Sequence, residues 1–85
     1  MTEKKIRLEG VDTLGLLGLN DANLQILENR FDANIYVRGE AMTIRGSQQE
    51  VEQIEKVIKE LMYILTKNGS LTTNDVDTVI DLVAA

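Results

Sequence analysis

Cysteine, histidine, proline and tryptophan are all missing from this chain of 85 residues. The first two absences exclude disulfide staples, thiolate or imidazole zinc sites, cysteine nucleophiles and Ser-His triads. Aromatic mass is small, with two tyrosines and one phenylalanine. No apolar run approaches the ~18 residues of a membrane-spanning helix, and Met1-Thr2-Glu3-Lys4-Lys5 lacks the apolar core of a signal peptide. The composition therefore predicts a soluble, cytoplasmic protein. A whole-domain basic footprint is also missing, since 9 basic residues face 14 acidic ones for a net charge of −5.

What is present is unevenly spread. Residues 1–46 hold every arginine and are near neutral, with six cations against seven carboxylates. Residues 47–85 carry three lysines against seven carboxylates. Any basic patch must be local and must lie in the first half. The length fits one domain.

Hydrophobic periodicity divides the chain into strands and helices. Lys4–Glu9 alternates, with Ile6 and Leu8 on one side and Lys5, Arg7 and Glu9 on the other. Asp12 is placed to cap a short turn over Thr13–Leu17, and Asn20 to cap a helix running to Phe31, with Leu19 stapled onto Leu24. Asn34–Arg38 and Met42–Arg45 alternate across Gly39-Glu40-Ala41, the spacing of an antiparallel hairpin. Ser47 and Glu50 form a capping-box pattern for a helix over Ser47–Lys67, whose stripe Val51, Ile54, Ile58, Leu61 and Leu65 is widened by Val57, Met62 and Ile64. Ile54, Ile58 and Leu61 are the predicted centre of the core.

Asn68-Gly69 stops that helix, and Thr72 opens a last one, with Leu71 and Val76 as its staple and Val76, Val79, Ile80 and Val83 as its inner face. The last helix reaches Ala85 without a stop signal, which reads either as a domain cut from a longer protein or as a frayed terminus. The predicted fold is α+β in two layers, a three-stranded sheet packed by helices.

The order strand–helix–helix–strand–strand–helix is that of the KH-type RNA-binding module, plus a C-terminal helix here. In that module a Gly-x-x-Gly loop between the first two helices clamps nucleotide backbone. Gly15-Leu16-Leu17-Gly18 occupies this place. Leucines stand where a phosphate clamp needs cations, and Asn20-Asp21 follows. The loop reads as a turn with a leucine tucked inward, or as a backbone clamp without charge.

Several short phrases, Leu8-Glu9-Gly10, Leu17 through Leu24, Leu27-Glu28-Asn29-Arg30-Phe31, Ile35 through Gly39 and Ile44-Arg45-Gly46, resemble the N-terminal domain of PhoH-like, phosphate starvation-inducible ATPases of bacteria. The resemblance runs from about Lys4 to the end of the chain. It implies one KH-like domain over residues 1–85, a cytoplasmic parent protein tied to RNA metabolism, and a P-loop ATPase domain as its partner in the same protein. ATP and Mg are implied for that domain only. No Gly-x-x-x-x-Gly-Lys-[Ser/Thr] occurs in this chain, so no cofactor, metal or catalytic residue is assigned to it.

Strand parity supplies a second candidate surface. If Ile6, Leu8, Ile35, Val37, Met42 and Ile44 face the helices, then Lys5, Arg7, Tyr36, Thr43, Arg38 and Arg45 share the opposite side. Four cations and one aromatic suit phosphate contact plus base stacking. A solvated sheet face neutralised by Glu9 and Glu40 is the competing reading. A third has this face or an edge strand pair with another copy, giving a homo-oligomer. The carboxylates read as solvated: Glu52/Lys56 and Glu55/Lys59 at i,i+4, and Asp75, Asp77 and Asp81 along the last helix. The functional readings are two: a non-enzymatic, RNA-associated accessory domain, or a protein-docking and oligomerisation module.

Overall fold

Alternating segments need a partner strand to satisfy their backbone groups, and here the two outer strands share one. The computed structural model describes residues 1–85 and places the strands β1 (Thr2–Arg7), β2 (Asn34–Arg38) and β3 (Ala41–Gly46) in one antiparallel sheet of order β1-β3-β2. The hairpin partner β3 is thus the central strand, and β1 closes on it from far along the chain. β1 begins and ends two residues earlier than its alternation predicts. The reason is the length of its partner: the ladder runs from Thr2 opposite Gly46 to Arg7 opposite Ala41, where β3 stops. One further bond, from the Leu8 N–H to the Glu40 carbonyl at 2.7 Å, carries the chain to the turn at Gly10.

Helices α1 (Thr13–Leu17), α2 (Ala22–Arg30), α3 (Gln48–Asn68) and α4 (Thr73–Ala84) form the second layer. The architecture is α+β, with helices covering one side of an open sheet. Its heart is α3, whose Val51, Ile54, Val57, Ile58, Leu61 and Leu65 share one buried core with Ile6, Leu8, Ile35, Met42 and Ile44 of the strand segments and pack against α1 and α4, while α2 packs on α4 and β2. Ile54 and Ile58 are fully buried, as the stripe predicts.

Cap geometry departs from the expected pattern in three places. Ser47 does cap α3, accepting from the Glu50 N–H at 3.2 Å, but the Glu50 carboxylate accepts from the Ser47 hydroxyl at 3.5 Å and from the Asp32 N–H at 2.9 Å, not from the Ser47 backbone. It ties the α2–β2 turn to α3 instead of closing the box. The closed capping box belongs to α4, where Thr72 and Asp75 bond each other's backbone at 3.1 and 3.0 Å. The start of α2 has no side-chain cap: Asn20 and Asp21 both adopt left-handed backbone inside a single 3-10 turn, Leu19–Asp21. Leu19 is 80% exposed, so the expected staple with Leu24 does not form. The left-handed pair swings Leu19 away from the helix it was to cover.

Four ion pairs knit distant segments together. Lys4, on the helix-facing parity of an edge strand, reaches Glu55 of α3 at 3.0 Å. That contact and Lys59 hold the Glu55 carboxyl below the usual carboxylate range, with the Lys4 hydrogen bond as the larger cause. Arg30 at the end of α2 bonds Asp77 at 3.3 Å and Asp81 at 2.6 Å on α4. Those two aspartates are therefore not a merely solvated face. The Asp81 hydrogen bond chiefly raises the Arg30 pKa. The fourth, Glu3–Arg45, lies on the open side of the sheet.

Candidate nucleic-acid interface

The register decides what the open side presents. From Ala41 to Arg45 each residue of β3 is flanked by partners on both outer strands, so the exposed parity forms three rows. Arg7 and Arg38 flank Ala41, Lys5 and Tyr36 flank Thr43, and Glu3 and Asn34 flank Arg45. Lys5, Arg7, Tyr36, Arg38 and Arg45 are all exposed on this face. The structure brings these five sequence-predicted residues onto one surface within three short strands.

The central strand is low where its flanks are tall. Ala41 is small, and Thr43 is only 5% exposed between Lys5 and Tyr36. The result is a lane along β3, open at Ala41 and closed over Thr43 by its neighbours, with Lys5 and Arg7 on one side and Tyr36 and Arg38 on the other. Its walls rise from strands about 10 Å apart, twice the ~4.8 Å interstrand spacing. Along each wall, successive outward side chains stand about 6.6 Å apart, two residues at ~3.3 Å.

Charge along the lane is not uniform. Arg45 bonds Glu3 at 3.3 Å, both side chains being about half exposed (49% and 48%), so one end is neutralised. Lys5, Arg7 and Arg38 form no ion pair. Glu9 and Glu40, expected to screen the face, are exposed and unpaired as well. Tyr36 is 46% exposed, which leaves its ring accessible for stacking. Three free cations and one aromatic are what the face offers a ligand.

The Gly15-Leu16-Leu17-Gly18 corner has a different character. Gly15 lies inside α1, and its N–H donates to the capping carboxylate of Asp12 at 3.1 Å. A Cβ there would stand 2.6 Å from Asp12 Oδ2 and 3.2 Å from a Leu65 methyl. Leu16 is buried, and its carbonyl accepts from Asn23 Nδ2 at 3.1 Å, with Asn23 itself 2% exposed. Gly18 has φ of 84°, and a Cβ on it would meet the Asn23 side chain at 3.0 Å. Leu17 packs partly against the core. Both glycines thus serve close internal packing, and no cation lies within the loop.

Sequence reasoning missed the Glu3–Arg45 pair, because Glu3 lay outside the strand it expected. It also missed an apolar cleft between α3 and α4, lined by Lys59, Tyr63, Ile64, Val79, Leu82 and Val83. Tyr63 is 59% and Leu82 75% exposed there, with Lys67 Nζ 5.7 Å from the Tyr63 ring centre. No three carboxylates converge as a metal site would need. No helix is long and apolar enough to cross a membrane.

Comparison with known proteins sets this geometry in a family context. PhoH-like proteins of Mycobacterium tuberculosis and Mycobacterium bovis are 44% identical to the chain over 59 residues. This chain resembles one part of a PhoH-like protein. A PhoH-like protein of Mycobacterium leprae is 37% identical over a stretch of the same length. The aligned stretch is 69% of this chain but only 17% of those PhoH-like relatives, which are far longer. No family model matches the chain, and no solved structure matches it.

Proposed function

We propose that the chain is a non-catalytic, KH-like domain at the N-terminal side of a cytoplasmic PhoH-like protein, and that its open sheet face holds RNA beside a P-loop ATPase domain. ATP and Mg belong to that other domain in this reading. The observation that carries it is the register, which gathers Lys5, Arg7 and Arg38 around Tyr36 on a face no helix covers. Cations bind phosphate through counterion release, and an accessible ring stacks an unpaired base. The Gly-x-x-Gly corner contributes shape to the fold, and not charge to the ligand.

The test is fluorescence anisotropy of a labelled twelve-nucleotide oligo(U) with the 85-residue chain at ~50 mM salt, where phosphate contacts are strongest. Three contacts give a slope of log affinity against log salt of roughly −2 for a single strand. Arg38→Glu should flatten it by at least about 0.7. Binding that survives Arg7→Glu and Arg38→Glu but vanishes in a folded Gly18→Asp chain places the ligand at the glycine corner and defeats the reading.

A second reading, docking without nucleic acid, draws on the α3–α4 cleft with its exposed Tyr63 and Leu82. Absence of RNA binding together with self-association in a molar-mass measurement favours it.

A further inference from the structure

Resting on the RNA reading of the sheet face, in which the ligand of a KH-like module is single-stranded, we infer that the strand lies along β3 and that Glu3 ends its footprint by competing with phosphate for Arg45. The lane supplies the first half of this. A single strand has unpaired bases whose faces are available to Tyr36, whereas a duplex keeps its bases stacked on one another. Ala41 is small and half-buried between Arg7 and Arg38, so a phosphate can approach both guanidinium walls there, and Tyr36 and Lys5, which close over Thr43, offer the strand a ring and an ammonium in the next row.

Glu3 supplies the second half. It is directly opposite Arg45 in the β1–β3 register and forms an ion pair with its guanidinium, 3.3 Å from Nε to the carboxylate. On the lane side of the sheet this is the one carboxylate paired with one of the cations. An exposed pair of this kind is weak in water. A phosphate arriving at Arg45 must nevertheless displace the carboxylate and then remain beside its negative charge. Lys5, Arg7 and Arg38 face no such competitor. The strand therefore engages three cations, with Tyr36 in the same row as Lys5 and next to the blocked end, and stops short of the fourth.

Removing the competitor lengthens the footprint. The experiment measures the affinity of the 85-residue chain for twelve-nucleotide oligo(U) and for a twelve-base-pair RNA duplex across a salt series. It compares wild type, Glu3→Gln, and Glu52→Gln, a carboxylate on α3 outside every ion pair that changes net charge equally. Circular dichroism confirms that each is folded. The expected result is a slope near −2 for wild type and Glu52→Gln, and near −3 with tighter binding for Glu3→Gln, because each added phosphate contact contributes about 0.7. The duplex should bind more weakly than the single strand in all three. Should oligo(U) bind wild type while Glu3→Gln merely matches Glu52→Gln, the role of Glu3 is overturned and the RNA reading stands. Equal affinity for the duplex overturns the single-strand class. If none of the three chains binds oligo(U) at ~50 mM salt, the RNA reading itself fails.

Discussion

The glycine corner between α1 and α2 and the open face of the sheet both carry residues that suggest a nucleic-acid ligand, and the fold treats them in opposite ways. At the corner the two glycines and Leu16 between them are engaged inside the fold. Asp12 holds the Gly15 N–H, Asn23 fills the space beside Gly18, and Leu16 is sunk into the core. On the sheet three cations and a tyrosine are left with no partner inside the chain. A motif points to function when its groups remain unsatisfied after folding, whatever its spacing.

The sharpest way to break this comparison is to show that the covered side is not what holds the domain together. Ile58→Ala should cost about 2–5 kcal/mol, since a fully buried side chain leaves a cavity that α3 and the sheet cannot close. An unshifted denaturation midpoint would contradict the layer arrangement. At the corner, Gly18→Ala forces a side chain into left-handed backbone and against Asn23, at a cost of about 1–3 kcal/mol. Asn23→Ala strands the buried Leu16 carbonyl and should cost about 1–3 kcal/mol. Chemical unfolding of both checks whether the corner is structural. Changes in RNA affinity without loss of stability would reassign it.

Much of the fold was legible because periods of 2 and 3.6 separate cleanly here. The stripe from Val51 to Leu65 and the alternation in Ile35–Arg38 each point one side inward without ambiguity. The five residues of the sheet face followed from parity alone. What parity cannot give is register, and register is what sets Glu3 against Arg45 and turns four apparent cations into three. Long side chains also escape pattern rules. Lys4 has the parity of a core residue, yet from an edge strand its ammonium reaches Glu55, and Glu50 links the Ser47 hydroxyl at its own helix start to the Asp32 N–H. The left-handed pair Asn20-Asp21 defeated the cap expected at Asn20, because a backbone conformation uncommon outside glycine leaves no trace in hydrophobic pattern.

Smaller effects sharpen the comparison further. The Glu55 carboxyl titrates lower in the folded chain than in the unfolded one, so its contribution is present above the ordinary carboxylate range and lost as the pH falls through that lowered value. Glu55→Gln should therefore show a slightly shallower acid loss of stability than wild type. The difference is about 0.5 kcal/mol or less, given the exposure of Lys4. A wild-type and variant pair with identical acid profiles would mean the β1–α3 bridge contributes nothing. The smallest effect belongs to the open face: Arg38→Ala should change stability by less than about 0.5 kcal/mol, because nothing in the chain depends on it. A larger loss would show that Arg38 is held internally, and the two regions would then differ less than they do here.

The strand order β1-β3-β2 has a temporal side. β1 is made well before its partner β3, which follows the whole α1–α2 segment and β2. Throughout that interval it is a bare strand with both edges open, the kind of segment that recruits neighbouring chains. Glu3, Lys4, Lys5 and Arg7 crowd it with charge of both signs, leaving Ile6 as the one large apolar side chain between Thr2 and Arg7. The charges that later stand on the open face of the sheet thus first act as a guard against pairing with other chains before β3 is in place.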